Sequence, residues 1–468
     1  MAGDKRCLIG LDVGTSSVKA LAVNLEGVQV AASKAQLTIH SPSRDLYIQY
    51  ADEMRESIYR VLNMLTHSLG GWRIEAVGVT GQSISPVVMD KEGNPIHPVI
   101  SHLDTRSVLV ADELSETVGR LGYVGTKLVA NLVWLRRSRP DLWKRIEMVA
   151  DVKEYAGYLL TGKNTSDQIL YLIEDLERLC RELDIPLHWF GEKHSFKDVV
   201  GYITAEAERE TGIPAGTPVI IALGDSLASP LGSGVARAGD MADVCGATEI
   251  MSAATYEARD VLTFPYPING LKITSHSPPI GLAHKWIVER IAEISGVERE
   301  KAYKVFEEMA EKAGPGAGGL VFLPGSFKTF PKRFDAAFAG ITYFHDLRHF
   351  ARAFYEGAAL ELRKTVEDFE RAGAKVDRIV VSGGGATSFN CQLKADILDR
   401  EIDVPEIKET GCMGAALIAG YALGIYSTLE EAVSTVKISK KFFRSSNHDY
   451  GREYSKYLEL RELCGRIL

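Results

Sequence analysis

The segment IGLDVGTSSVKALAVNLEGVQV, Ile9 to Val30, limits the folds open to this chain more than any other stretch. Two runs of strand-forming residues flank a tight Gly-Thr-Ser-Ser turn, and a second turn at Asn24-Leu25-Glu26-Gly27 leads into a third strand. Runs 7–12, 18–23 and 28–33 therefore read as adjoining strands, with the carboxylate of Asp12 at the tip of the first hairpin. The pattern returns later in the chain. DMADVCGATEIMSAAT (240–255) again reads as strand, glycine turn, strand. DRIVVSGGGATS (377–388) repeats the design of RIEAVGVTGQS (73–83): a charged lead-in, alternating apolar residues, then glycines. Strand–glycine-turn units are common in α/β proteins, so each echo is weak alone, but together they favour two halves of similar design.

The 468 residues exceed what one core usually supports. Helical patterns separate the strands: in 51–69, Met54, Ile58, Val61, Leu62 and Leu65 recur at helical spacing, and 128–190 is mainly helical. The expected architecture is α/β in two domains, 1–237 and 238–468, with chemistry where strand ends and glycine loops of the two halves face each other.

Composition narrows the function. The formal charge of -8 is spread out, with no Lys/Arg block to follow a nucleic-acid backbone and no basic amphipathic helix for a membrane surface. No apolar run reaches the length of a membrane span, and MAGDKRCLIG lacks the apolar core and cleavage site of a signal peptide. Six scattered cysteines without a C-x-x-C pair read as free thiols. A cytoplasmic enzyme acting on a small molecule, without nucleic-acid or membrane partners, is the expectation.

Four glycine-flanked positions could carry the chemistry. A carboxylate at a strand end followed by small hydroxyl residues, as in Asp12-Val13-Gly14-Thr15-Ser16-Ser17, can hold a hydrated Mg²⁺ while backbone N–H groups approach phosphate oxygens. Asp12 and Thr15 could equally cap a hairpin. Asp225, in Gly224-Asp225-Ser226 after the apolar strand Pro218–Leu223, could take a proton from a substrate hydroxyl, or serve as a helix N-cap. Gly246-Ala247-Thr248 offers backbone donors and a hydroxyl to phosphate, or is a plain hairpin turn. Gly383-Gly384-Gly385-Ala386 lets a planar ring lie against bare backbone, although it is not the Rossmann fingerprint. No P-loop motif is present. Gln82, Ser83 and the run His102 to Ser107 could read a polyhydroxylated substrate, while Asp104 and Arg106 could simply pair with each other.

Taken in order, D-x-G-T-S-S-x-K at 12–19, T-G-Q at 80–82, D-T-R-S at 104–107, G-D-S at 224–226, G-A-T at 246–248 and G-G-G-A at 383–386 resemble the FGGY family of carbohydrate kinases. RIEMVADVKEYAGYLLTG (145–162), AFYEGAALELR (353–363) and the A-D-I-L and G-A-A-L elements within 392–426 extend the resemblance over nearly the whole chain. It implies two actin-like (ribonuclease H-like) domains with an interdomain catalytic cleft, closing on ATP, Mg²⁺ and a sugar or polyol. Carried over, Asp12 would orient the metal, and Thr15 and Ser16 would meet the transferring phosphate. Asp225 would be the catalytic base, Gly246, Ala247 and Thr248 the second phosphate loop, and Gly383, Gly384, Gly385 and Ala386 the adenine side. Gln82, Ser83, Asp104 and Ser226 would line the substrate pocket. Asp225 in its G-D-S setting separates this reading from an actin-like ATPase that is not a kinase.

The pocket departs from the family pattern. Gly81-Gln82-Ser83-Ile84-Ser85 replaces both the G-Q-M-H-G of xylulokinase-like members and the N-Q-R-E-T of glycerol kinases, which argues against glycerol. His102-Leu103 stands before Asp104 where Trp-Asn or Trp-Gln is usual, Asn131 stands where a lysine is usual, and PGSFKTFPKRFD (324–335) lacks G-E-R-x-P. The first expectation for the acceptor is a ketopentose such as xylulose, with another polyol, an aldonate or a cyclitol as alternatives. A homodimer is compatible with the family.

Overall fold

The structure is a computed structural model that describes residues 5–43, 45–118, 126–169, 176–259, 261, 263–268, 270–325 and 336–467. Most of the atypical segment 324–335, from residue 326 onward, lies outside the described residues. Two compact units are formed, one from Met1–Gly234 and Glu409–Lys437, the other from Val235–Lys408 and Ile438–Leu468. The sequence reading sets one boundary at 237/238; the chain passes from the first unit to the second three residues earlier, and the segment 409–437 returns to the first. No described helix is long and apolar enough to cross a membrane.

The first unit is built on a sheet whose strands are β1 (Arg6–Val13), β2 (Ser17–Asn24), β3 (Gln29–Gln36), β4 (Arg73–Gly81), β5 (Gly201–Tyr202) and β6 (Pro218–Ile221), in the order β5-β6-β4-β1-β2-β3. The β1–β2–β3 meander is antiparallel, and β4 and β6 extend it in parallel. Along β1 the residues alternate between two covered faces. Ile9, Leu11 and Val13 join Met54, Ile58, Val61, Leu62 and Leu65 of helix Ala51–His67 in one core, as the helical spacing foretold. On the other face Gly10 and Gly78 leave room for helix Thr410–Ala422. A Cβ on Gly10 would fall 1.8 Å from the carbonyl oxygen of Cys412, and one on Gly78 would fall 2.0 Å from that of Ala415. Every residue of this helix from Thr410 to Gly420 is buried. A helix of small residues covered on all sides has no polar stripe, so sequence periodicity cannot show where it docks.

The second unit repeats the plan. Its strands β7 (Asp240–Cys245), β8 (Glu249–Thr255), β9 (Thr263–Pro265), β10 (Lys272–His276), β11 (Arg378–Gly383), β12 (Ile402–Pro405) and β13 (Ile438–Phe442) lie in the order β9-β10-β8-β7-β11-β12-β13. The hairpin β7–β8 is antiparallel and is extended by β11 and β12 in parallel, as β1–β2 is by β4 and β6. Both echoes in the sequence therefore correspond to the same pair of neighbouring elements. Helix Leu347–Arg371 and an aromatic cluster that includes Phe306, Phe322 and Phe354 fill the core on this side of the chain.

Candidate active site

Asp12 is the penultimate residue of β1, so strand alternation turns it to the Gly10 face and the helix Thr410–Ala422. Its carboxylate lies at the start of that helix, where a Cβ on Gly411 would come within 2.8 Å of Oδ2. The turn beyond it is fixed by backbone bonds: the Gly14 amide donates to Ser17 O (3.1 Å), and the Leu37 amide to Ser16 O (2.9 Å). The buried Gln49 donates from Nε2 to Thr15 O at 2.8 Å. Asp12 is 8% exposed, and its Oδ1 is buried without a hydrogen-bond partner. Burial raises its pKa, Lys19 opposes that rise, and Glu409 reinforces it. Lys19 is itself paired with Glu409 at 2.6 Å. A buried carboxylate oxygen without a partner costs about 1–3 kcal/mol or more, which a bound cation would recover. The donor set fits Mg²⁺, which needs one or two carboxylates and keeps several waters.

Asp225 opens the helix Asp225–Gly232, but the N-cap position belongs to Gly224 and no side chain caps the helix. The capping alternative is therefore not what the geometry uses. The half-buried carboxylate accepts the Ser226 amide at 2.8 Å. Enclosure by protein pushes its pKa up to about 7, with further contributions from the negative charges of Asp12 and Asp151. A carboxylate poised near neutrality can both hold and release a proton under working conditions. Thr80, at the end of β4, donates to Leu223 O at 2.7 Å and ties this loop to the sheet.

Gln82 and Ser83 follow β4 directly. Ser83 packs against Gly224, where a Cβ would meet its Oγ at 2.1 Å. Gln82 is 1% exposed and sits in a network: Nε2 donates to Gln49 Oε1 (3.0 Å), while Oε1 meets Ser85 Oγ (3.3 Å) and His102 Nδ1 (3.2 Å). Burial, with Lys127 nearby, pushes the His102 pKa down to about 4, so the ring is neutral at pH 7 and can donate to that oxygen. The Asp104 carboxylate is gripped by Arg106, whose Nε and Nη2 donate at 2.6–3.0 Å and whose guanidinium lies 4.1 Å from the centre of the Trp134 ring. The structural pairing weighed for these two residues is thus present. Asn131 accepts a hydrogen bond from Ser107 at 2.6 Å. Gln49 has no motif around it, and Asp151 lies in the 145–162 stretch without being singled out there; the sequence alone points to neither.

The second unit carries its own glycine turns. Gly246-Ala247-Thr248 joins β7 to β8 and is covered by the start of helix Ile280–Ser295, the Leu282 amide donating to Ala247 O at 2.8 Å. Gly383 ends β11 with φ +81°, a left-handed conformation that favours glycine, and its amide donates to Lys408 O at 3.0 Å. Gly385 lies against Cys245, whereas among the described residues nothing would meet a Cβ on Gly384 within 4 Å. Open backbone there is what a planar ring would need. Behind these turns the fully buried Lys394 reaches Asp243 (2.5 Å), Glu249 (2.6 Å) and Cys245 Sγ (3.3 Å). Asp243, Cys245 and Glu249 converge like metal ligands, but the ammonium already fills their centre.

Residues 7–232 match the N-terminal domain of the FGGY family of carbohydrate kinases, and residues 280–423 match its C-terminal domain. The chain is 26% identical to a xylulose kinase of Staphylococcus epidermidis over 97% of its own length and 96% of that protein. It is 27% identical to an L-xylulose/3-keto-L-gulonate kinase of Escherichia coli, again over 97% and 96%. Among solved structures, xylulose kinase from Rhodospirillum rubrum superposes with a TM-score of 0.79 at 26% identity, covering 98% of this chain and 99% of that one. Such enzymes use ATP as co-substrate, typically with Mg²⁺. The expected actin-like two-domain fold is the fold of these neighbours. The chain belongs to the FGGY family of carbohydrate kinases and is a phosphotransferase with an alcohol group as acceptor.

Proposed function

We propose that the protein transfers the γ-phosphoryl group of ATP to a hydroxyl of a ketopentose such as xylulose, with Asp225 as the general base. The observation that carries this reading is the placement of the Asp225 carboxylate at the start of helix Asp225–Gly232, next to the contact of Gly224 with Ser83, where enclosure and the negative charge of Asp12 raise its pKa. Asp225 takes the proton of the acceptor hydroxyl as that oxygen attacks phosphorus, and the adjoining helix start keeps the carboxylate in place. Asp12, with its unsatisfied Oδ1, would hold Mg²⁺. When bound, that ion draws charge from the β- and γ-phosphate oxygens. Thr15 and Ser16, together with Gly246, Ala247 and Thr248, are assigned to phosphate oxygens, and Gly383 to Ala386 to the adenine. Ser83, Gln82, Asp104 and Ser226 are assigned to the acceptor side. The satisfied amide of Gln82 and the Asp104–Arg106 pair favour fixed walls over mobile contacts.

The names of the relatives support a ketose, and that of the Escherichia coli enzyme keeps a keto-aldonate in view. ATP as co-substrate favours the cytoplasm, and a homodimer is our working expectation. A coupled ADP-release screen over ketoses, polyols, aldonates and cyclitols tests the assignment. Xylulose is expected to give the highest kcat/KM and glycerol one of the lowest; glycerol turnover equal to that of the best sugar overturns the pocket assignment.

A further inference from the structure

Ile84 stands between Ser83, assigned above to the acceptor side, and Ser85, with φ +64°. A β-branched residue is a conformational outlier there and persists only where its surroundings hold it. Two contacts hold it. Its side chain packs against the core cluster that includes Val88, Val110 and Leu128. Its amide donates to Asp151 Oδ2 at 2.8 Å, and the next amide, of Ser85, donates to Asp151 Oδ1 at 2.6 Å. The same Oδ1 takes the Val152 amide at 3.1 Å, so one carboxylate caps the helix Val152–Thr161 and clamps a loop 66 residues away in sequence.

The clamp reaches further through Ser85. Its hydroxyl accepts the His102 amide at 3.0 Å and meets Gln82 Oε1 at 3.3 Å. Ser83, on the other side of Ile84, is the residue that packs on Gly224, next to Asp225. Moving the 84–85 backbone would therefore disturb the Gln82–His102 wall and the Ser83 hydroxyl together, while the hydrogen bond from the Ser226 amide to Asp225 stays in place. We propose that Asp151 is a positioning residue for the acceptor, fixing the strained Ser83–Ser85 loop through its two amides. This rests on the kinase reading above and deepens it.

The test uses Asp151→Asn, which keeps the size and a good helix cap but replaces one acceptor oxygen by a donor, and Asp151→Ser, which caps the helix yet cannot reach the loop. With the best acceptor of the screen as probe, both variants should raise the acceptor KM at least tenfold while the ATP KM stays within twofold and Tm is little changed. In hydrogen exchange without substrates, peptides containing 82–89 should lose protection, whereas those within 152–161 should not. The loss caused by Asp151→Asn should shrink in an Ile84→Gly background, because glycine adopts the left-handed backbone without strain. An unchanged acceptor KM, an equal rise in both KM values, or unaltered exchange over 82–89 overturns the proposal. If the wild type phosphorylates nothing in the screen, the kinase reading fails while the exchange result still decides the clamp.

Discussion

The hairpins β1–β2 and β7–β8 occupy equivalent places in their sheets, and each carries an aspartate near its tip, yet the two carboxylates meet opposite surroundings. Asp12 is one residue from the end of β1, and Asp243 is two from the end of β7. One position reverses the face of a strand. Asp12 accordingly meets the start of helix Thr410–Ala422; its Oδ1, like Oδ1 of Asp243, is buried without a hydrogen-bond partner. Asp243 meets Lys394 of helix Ser388–Leu398 and is pushed towards the neutral form by burial and by Glu249, with the lysine opposing. Both carboxylates are buried, but that of the second hairpin is ion-paired to Lys394, whereas among the described residues that of the first has no ion pair. Repeated architecture thus does not imply repeated surroundings, and a shift of one residue decides which aspartate is paired with a buried lysine.

Replacing Asp225 should have the largest effect. Asp225→Ala is expected to lower kcat by about 10²–10⁴-fold, the range of general base catalysis, with ATP binding by calorimetry retained. Full activity in that variant removes Asp225 as the base. The sign of its pH dependence also follows. Because the folded pKa is raised to about 7, kcat/KM should rise with pH through an apparent value near 7. Between the ordinary carboxylate range and pH 7 the folded state binds a proton that the unfolded state has released, so stability from this group falls as pH rises. Asp225→Asn should therefore raise Tm at pH 8 and leave it nearly unchanged at pH 4. A Tm gain at pH 4 as large as at pH 8 contradicts the shift.

The two hairpins should then separate under parallel substitution. Asp12→Asn should reduce turnover by roughly 10²-fold or more, as loss of one charge-stabilising group at a reacting phosphate does, with Tm unchanged or higher. Lys394→Met should do the reverse. It strands Asp243 and Glu249 in the core at a cost of about 3–5 kcal/mol, read by urea unfolding, while the protein that remains folded keeps its acceptor KM. If Lys394→Met leaves stability intact and abolishes turnover, the ion-paired hairpin is not the structural one of the pair.

Much of this was legible in the chain. The β1–β2 turn, the helix 51–69 stripe and both sequence echoes are patterns of period and glycine placement, which local sterics dictate. Asp12 and Asp225 stand out in the sequence because motifs surround them. Gln49, Asp151 and Lys394 do not, because each acts through a partner distant in sequence: Thr15 and Gln82, the 84–85 amides, and the β7–β8 hairpin. The docking of Thr410–Ala422 was hidden for a different reason. Its small-residue faces match glycines on other elements, such as Gly10 and Gly78, and such complementarity leaves no periodic trace.

The smallest expected effects come from the glycines beside each site, and they sharpen the contrast between the two units. A Cβ on Gly224 would meet the Ser83 hydroxyl at 2.1 Å, whereas one on Gly385 would meet Cys245 Cβ at 2.8 Å. The first neighbour is the tip of a side chain that can rotate away; the second is the root of a side chain in a β-strand. Neither glycine has positive φ, so an alanine tests space alone. Gly224→Ala should therefore raise the acceptor KM several-fold with a Tm shift of no more than about 2 °C, within the range of minor core adjustments. Gly385→Ala should leave the acceptor KM unchanged and cost about 1–3 kcal/mol, as overpacking does. Should the stability loss fall on Gly224→Ala and the acceptor KM change on Gly385→Ala, the assignment of the acceptor side to the Ser83–Gly224 contact and of a packing role to the Gly385–Cys245 contact would be reversed.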